Sequence, residues 1–131
     1  GDLSAALATT REDVGIDLLV GTGRAAQGVL AAAALQCLGG EIQARFRPST
    51  QEEVDQLRQI GVEDLRKKYT AKDLAQGSVV FAATGVTTGE YLRGVRFFSG
   101  GGESHSVVMR SKSGTIRFLN TLHHFEEQPE Y

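Results

Sequence analysis

Cysteine is almost missing from this chain. Cys37 is the single example in 131 residues, which excludes an internal disulfide and fits a reducing compartment. No excess of either charge sign is present: the formal net charge is -2, so no basic footprint points to nucleic acid. Long apolar runs are missing too. The longest, around residues 29–35, falls well short of the roughly 20 residues that span a bilayer. No basic stretch followed by an apolar one opens the chain as a secretory signal would. These absences predict a cytoplasmic protein with no membrane and no nucleic-acid partner. A hydrophobic content of 40% and a charged content of 23% are those of an ordinary globular chain. The length suits one domain, residues 1–131, with a real core. Cys37 lies at helical spacing from Leu30, Ala33 and Ala34, so it reads as a small core residue.

The stretch from Ile16 to Gly40 organises the rest. Residues 16–20 are mostly apolar and too few for a helix, which predicts a buried strand. Gly21 and Gly23 then allow positive φ and close approach of a ligand. The alanine-rich run that follows is a strong helix former, and Gly39-Gly40 stops it. Such a turn aims backbone N–H groups at one point, beside the positive end of a helix dipole, and so suits phosphate or another anion. A plain structural turn explains the same glycines.

Ahead of this unit, Leu3, Ala6 and Leu7 share a face of a short helix, with Asp2 at its N-cap. After it, Ile42, Ala44 and Phe46 alternate with Gln43 and Arg45 as a strand does. Strand, helix and strand predict a parallel, right-handed βαβ unit. Thr50 and Glu53 form a capping box for a helix with Val54, Leu57, the stem of Arg58 and Ile60 along one face, closed by Gly61. Residues 62–69 read as another helix, acidic first and basic last. Residues 79–84 read as a second buried strand, followed by a hydroxyl-rich turn at 85–89. In a parallel sheet both glycine turns would share one edge and frame a crevice. Val95–Phe98 is a strand, 100–102 a flexible glycine stretch, and 106–110 with 115–119 a hairpin around residues 111–114. The tail from Glu126 to Tyr131 is acidic and expected to fray. The expected fold is α/β: a mixed sheet with a parallel βαβ core, helices on both faces, and an antiparallel hairpin at the end.

Catalytic constellations are sparse. His123 and His124 would point to opposite faces of a strand, and Asp2, Asp13, Asp17, Glu41, Asp73 and Glu90 are scattered. No carboxylate cluster stands out to hold Mg²⁺ tightly. Residues 21–26 fit G-x-G-x-x-A, the pattern of a dinucleotide site. The next strand, however, carries Arg45 and Arg47 and no acid for a ribose, which at best favours NADP.

The stretches 15–19, 28–45, 81–87, 94–98 and 105–118 together resemble the C-terminal part of class II fructose-1,6-bisphosphatases. The likeness is strongest to cyanobacterial enzymes that also act on sedoheptulose-1,7-bisphosphate. It rests on runs such as Leu30-Ala31-Ala32-Ala33-Ala34-Leu35-Gln36-Cys37-Leu38-Gly39-Gly40 and Met109-Arg110-Ser111-Lys112-Ser113-Gly114-Thr115. The resemblance implies a Mg²⁺- or Mn²⁺-assisted hydrolase acting in carbohydrate metabolism and the Calvin cycle. It also implies that the metal-binding N-terminal part of the enzyme lies upstream of Gly1. It gives Asp2 and the loop of Gly21, Gly23, Arg24 and Gln27 a substrate-binding role.

The family's loop reads Gly-x-Gly-Gly-Ala-Pro-Glu-Gly; here Arg24 replaces a glycine, Ala26 the proline and Gln27 the glutamate. An amide is neither a carboxylate ligand nor a base. The expectation is a sugar-phosphate-binding domain that is inactive by itself, binds a sugar bisphosphate or a phosphate anion, holds no metal tightly, and joins the N-terminal half or forms a homo-oligomer. A non-catalytic binding or assembly domain is the alternative.

Overall fold

The computed structural model describes residues 2–125, apart from the side chain of Asp2. Among the described residues, four helices and six strands run in the order α1 (Asp2–Ala8), α2 (Ala25–Leu38), β1 (Gln43–Ala44), α3 (Gln51–Gln59), β2 (Tyr69–Thr70), α4 (Ala71–Leu74), β3 (Val80–Thr84), β4 (Arg96–Phe98), β5 (Gly101–Arg110) and β6 (Thr115–His124). This is a mixed α/β fold. The fraying expected of residues 126–131 concerns a segment outside the described residues.

The central sheet is built on β5. Its two neighbours on one side are β4, against Gly101–Glu103, and β3, against Ser106–Arg110; β6 runs along its whole other side. The register puts Phe81 opposite Met109, and Met109 opposite Ile116. One face of the sheet therefore carries Phe81, Ala83, Val107, Met109, Ile116 and Phe118, because side chains alternate along each strand. Helices α1 and α2 cover this face over β3 and β5. Leu7, Ala34 and Cys37 pack there against Phe81, Tyr91, Val107 and Met109. Burying side chains of the size of Phe81 and Met109 contributes about 1.5–3 kcal/mol each. Cys37 is a buried core residue, as its spacing predicted, and burial pushes its thiol pKa up.

Local signals explain several elements. The αL residue Gly39 (φ 77°) ends α2, with its N–H donating to the Leu35 carbonyl, a conformation that favours glycine. Thr50 caps α3 by accepting from the Glu53 N–H at 3.2 Å. The carboxylate of Glu53 takes the Ser49 N–H instead of that of Thr50. The β5–β6 turn contains Gly114 at φ 60°. The hairpin is as expected, but each strand is ten residues long.

Other expectations are corrected. Every ladder among the described residues is antiparallel, so the parallel βαβ core is not found. Residues 16–20 form no strand and Asp17–Val20 are exposed. They have no backbone hydrogen bond to another strand, and an extended segment becomes a strand only through such a partner. Residues 42–46 keep the expected alternation of half-buried and exposed positions, yet only Gln43–Ala44 pairs, with β2.

The expected buried strand, β3, buries Phe81 alone; its other face, with Val80, Ala82 and Thr84, is exposed. Helices therefore pack on one face of the sheet, not on both. Ile60 is exposed at the end of α3 rather than inward. Residues 62–69 are not helical: the Asp64 carboxylate accepts the Arg66 N–H at 2.8 Å, a local bond that competes with helix formation. The helix nearby is α4, held by a full capping box of Thr70 and Asp73.

Residues 101 and 102 are not flexible. They are buried in β5, and a Cβ at Gly101 would lie 2.2 Å from the His123 carbonyl oxygen. That close approach requires glycine.

Candidate functional site

The turn feeding α2 is the candidate anion site. Residues 21–27 are all exposed. Arg24 is the N-cap residue, with extended backbone (φ -74°, ψ 146°) and no side-chain cap hydrogen bond, and the first turn of α2 holds no acid. The Gly28 N–H is satisfied by the Arg24 carbonyl at 3.2 Å; the N–H groups before it have no side-chain partner among the described residues. A fourteen-residue helix presents a positive dipole end there, which favours an anion.

Gly21 and Gly23 are not among the positive-φ glycines, so the expected backbone requirement does not hold. A Cβ at Gly21 or Gly28 would meet nothing within 4 Å. The space around the turn is open, not packed.

The contiguous candidates Gly21, Gly23, Arg24 and Gln27 stay together because they share one turn. The side chain of Asp2 lies outside the described residues; its backbone opens α1. Chemically the turn offers backbone donors, one guanidinium at Arg24 and one neutral amide at Gln27. That donor set suits an oxyanion. Residues 21–27 include no carboxylate, the charged ligand that a hard divalent cation takes.

Among the described residues, the second glycine turn makes its hydrogen bonds to itself and to the hairpin, and none to the first. Residue 85 donates its N–H to the His105 carbonyl at 3.0 Å, and the Val95 N–H donates to the Val86 carbonyl. The Thr88 hydroxyl accepts the Gly94 N–H at 3.0 Å, so it serves the turn itself. At Gly85 a Cβ would lie 2.1 Å from the Arg93 carbonyl oxygen. Arg93 ties this loop to the hairpin: its N–H donates to His105 Nδ1 at 3.1 Å, and its guanidinium to Asn120 Oδ1 at 2.8 Å. No local sequence signal could have found contacts between residues so far apart in the chain.

A further cationic feature lies apart from both turns. A shallow cavity of about 510 Å³ is lined by Arg45, Arg47 and Arg66 around Phe46 and Val54. None of its lining residues comes from the α2 turn. Arg110 and Arg117 are exposed on strands β5 and β6. His123 and His124 follow one another in β6 and so point to opposite faces of it; His123 Nε2 lies 3.0 Å from Ser104 Oγ.

The chain is a mixed α/β domain with an exposed glycine turn at a helix N-terminus. Known proteins narrow the class. Residues 1–123 match the family described as bacterial fructose-1,6-bisphosphatase, glpX-encoded, and the chain belongs to that family. It is 43% identical over 136 residues to the D-fructose 1,6-bisphosphatase class 2/sedoheptulose 1,7-bisphosphatase of Synechococcus sp. (strain JA-3-3Ab), covering 94% of this chain and 39% of that enzyme. To the enzyme of the same name from Crocosphaera subtropica it is 40% identical, with 100% of this chain and 41% of that one covered. The chain spans about two-fifths of the length of these relatives and corresponds to their C-terminal part.

Proposed function

We propose that this chain supplies the sugar-phosphate side of the crevice of a fructose-1,6-/sedoheptulose-1,7-bisphosphatase, and that the turn at residues 21–28 receives a phosphate group. The observation that carries this reading is the exposed, uncapped N-terminus of α2 with Arg24 beside it, in a chain whose relatives are named for sugar bisphosphates. The backbone N–H groups and the dipole orient the anion, and the guanidinium adds charge-assisted hydrogen bonds. Arg24 also takes up room that a glycine would leave for the sugar.

Metal-assisted hydrolysis of a phosphate monoester needs charge neutralisation at the transferred group, which Mg²⁺ or Mn²⁺ supplies when bound. The Gln27 amide is uncharged, and no step is assigned to it. The chain by itself is therefore expected to be inactive, with the hydrolytic groups contributed by the N-terminal part of such an enzyme. The dinucleotide reading needs a strand leading into the turn. Residues 16–20 are not one, which favours the sugar-phosphate reading over NADP.

Two measurements on the purified chain test this. Phosphate release from fructose 1,6-bisphosphate with Mg²⁺ or Mn²⁺ is expected to be absent; metal-dependent turnover lost in Asp2→Ala would overturn the inactivity. Titration calorimetry is expected to show weak binding of inorganic phosphate that drops in Arg24→Gly, while fructose 1,6-bisphosphate binding rises in the same variant. No heat with either ligand, in either protein, sinks the assignment of the turn.

A further inference from the structure

The inner face of the central sheet is only partly covered. Over β3 and β5, helices α1 and α2 bury Phe81, Val107 and Met109. The same face continues onto β6 through Ile116, Phe118 and Leu122, as the register places them opposite Met109, Val107 and Glu103. There the cover ends: Ile116 is 43% exposed, Phe118 54% and Leu122 61%. Phe118 lies at the margin of this cover, with the rings of Tyr91 and His105 at 5.9 and 5.7 Å.

A second bare stretch leads into α2. Leu18 is 77% exposed and Val20 83%. Among the described residues, the backbone of residues 16–23 has no hydrogen-bonding partner. An apolar sheet face and an apolar extended segment, both uncovered, mark an interaction surface. Backbone of this kind has to find partners once it is covered.

We infer that the inner face of β6 and residues 16–20 are the seat of the polypeptide that makes up the remaining three-fifths or so of the family's length, the part absent from the 39–41% that this chain covers. This rests on the reading that the chain works as part of such an enzyme. Two features favour that occupant over a second copy. The bare residues extend the core face in register, so what covers them completes a layer of the same domain rather than a rim contact. The relatives, moreover, carry a long further polypeptide that a copy of this chain does not supply. The occupant brings an apolar layer across Ile116, Phe118 and Leu122, and backbone groups that pair with residues 16–20.

The test mixes the full chain with the N-terminal three-fifths of the Synechococcus relative, expressed separately. Sedimentation velocity is expected to show a one-to-one complex, and amide exchange to slow at residues 16–20 and 115–122. Leu122→Asp and Val20→Asp are expected to weaken the complex about tenfold or more, each worth 1.4 kcal/mol per tenfold. Both positions are exposed, and circular dichroism checks that the variants fold. Val80→Asp, on the opposite face of the sheet, is expected to leave affinity unchanged.

Failure to form a complex would overturn the inference. So would a complex indifferent to both variants, or a homodimer that persists in excess fragment with 115–122 protected. A complex that forms as expected but hydrolyses no bisphosphate would leave this surface standing and count against the functional reading instead.

Discussion

The two ends of α2 differ in what they do. From Ala31 onward the helix buries Ala31, Ala32, Ala34, Leu35 and Cys37 against α1 and the sheet, and Gly39 closes it with a left-handed cap. Its N-terminal half leaves Ala25–Gln27, Val29 and Leu30 exposed. No side chain caps it there, and no core residue lies on it. Identical alanine chemistry serves both halves, so composition does not separate them; the presence or absence of a covering layer does. A helix packed at one end and bare at the other leaves the free N–H groups of its bare end accessible, the arrangement that the proposed phosphate site calls for.

The largest expected effect contrasts the covered sheet with the bare segment. Met109→Ala removes a fully buried side chain and is expected to cost about 2–5 kcal/mol. Val20→Ala is expected to stay within about 0.5 kcal/mol. Urea unfolding of the two variants checks this, and a comparable loss in both would erase the distinction.

Next come the two glycines of the helix itself. Gly39→Ala forces a Cβ into left-handed backbone and is expected to destabilise by about 1 kcal/mol. Gly28→Ala, inside the helix with open space around it, is expected to stabilise by about 0.5–1 kcal/mol. Opposite signs in thermal unfolding sharpen the comparison. A loss at Gly28 would mean that the exposed half carries packing of its own.

The smallest effect is a pH dependence. Glu41, just beyond the buried end of α2, accepts the N–H groups of Ala71 and Ile42 at 3.0 and 2.9 Å. Those two bonds hold its pKa below the ordinary 4.5. A depressed carboxylate contributes stability that is fully present above its unfolded value and lost as pH falls through the folded one. Glu41→Gln is therefore expected to be less stable than the parent at neutral pH. The gap closes on acidification below about pH 4.5. A gap that is constant down to pH 3 would remove the carboxylate from the account.

Features set by neighbouring residues were legible in the sequence. The body of α2 and its Gly39 stop, the Thr50 cap and the β5–β6 turn all depend on side chains and φ angles within a few positions. The candidate turn was legible for the same reason, since Gly21, Gly23, Arg24 and Gln27 are nearly contiguous. Features that depend on distant partners were not. Residues 16–20 have the composition of a strand and lack the strand beside them. Residues 62–69 have the charge order of a helix, yet Asp64 spends its carboxylate on its own backbone. Residues 100–102 have the composition of a hinge, and the approach of His123 turns two of them into strand. The link from Arg93 to Asn120 has no signature at all in either local stretch.

One consequence concerns how the chain assembles. Strands β3, β4 and β6 pair with β5 and not with each other, so the sheet has a single spine. During synthesis neither β3 nor β4 can complete its ladder until residues 101–110 have left the ribosome. The short connections to β4 and β6 close quickly, whereas β3 must wait for a loop of some twenty residues, and loop closure slows with separation. Loop closure by itself therefore favours the hairpins flanking the spine over the pairing of β3. A chain interrupted ahead of Gly101 leaves both β3 and β4 without a partner strand.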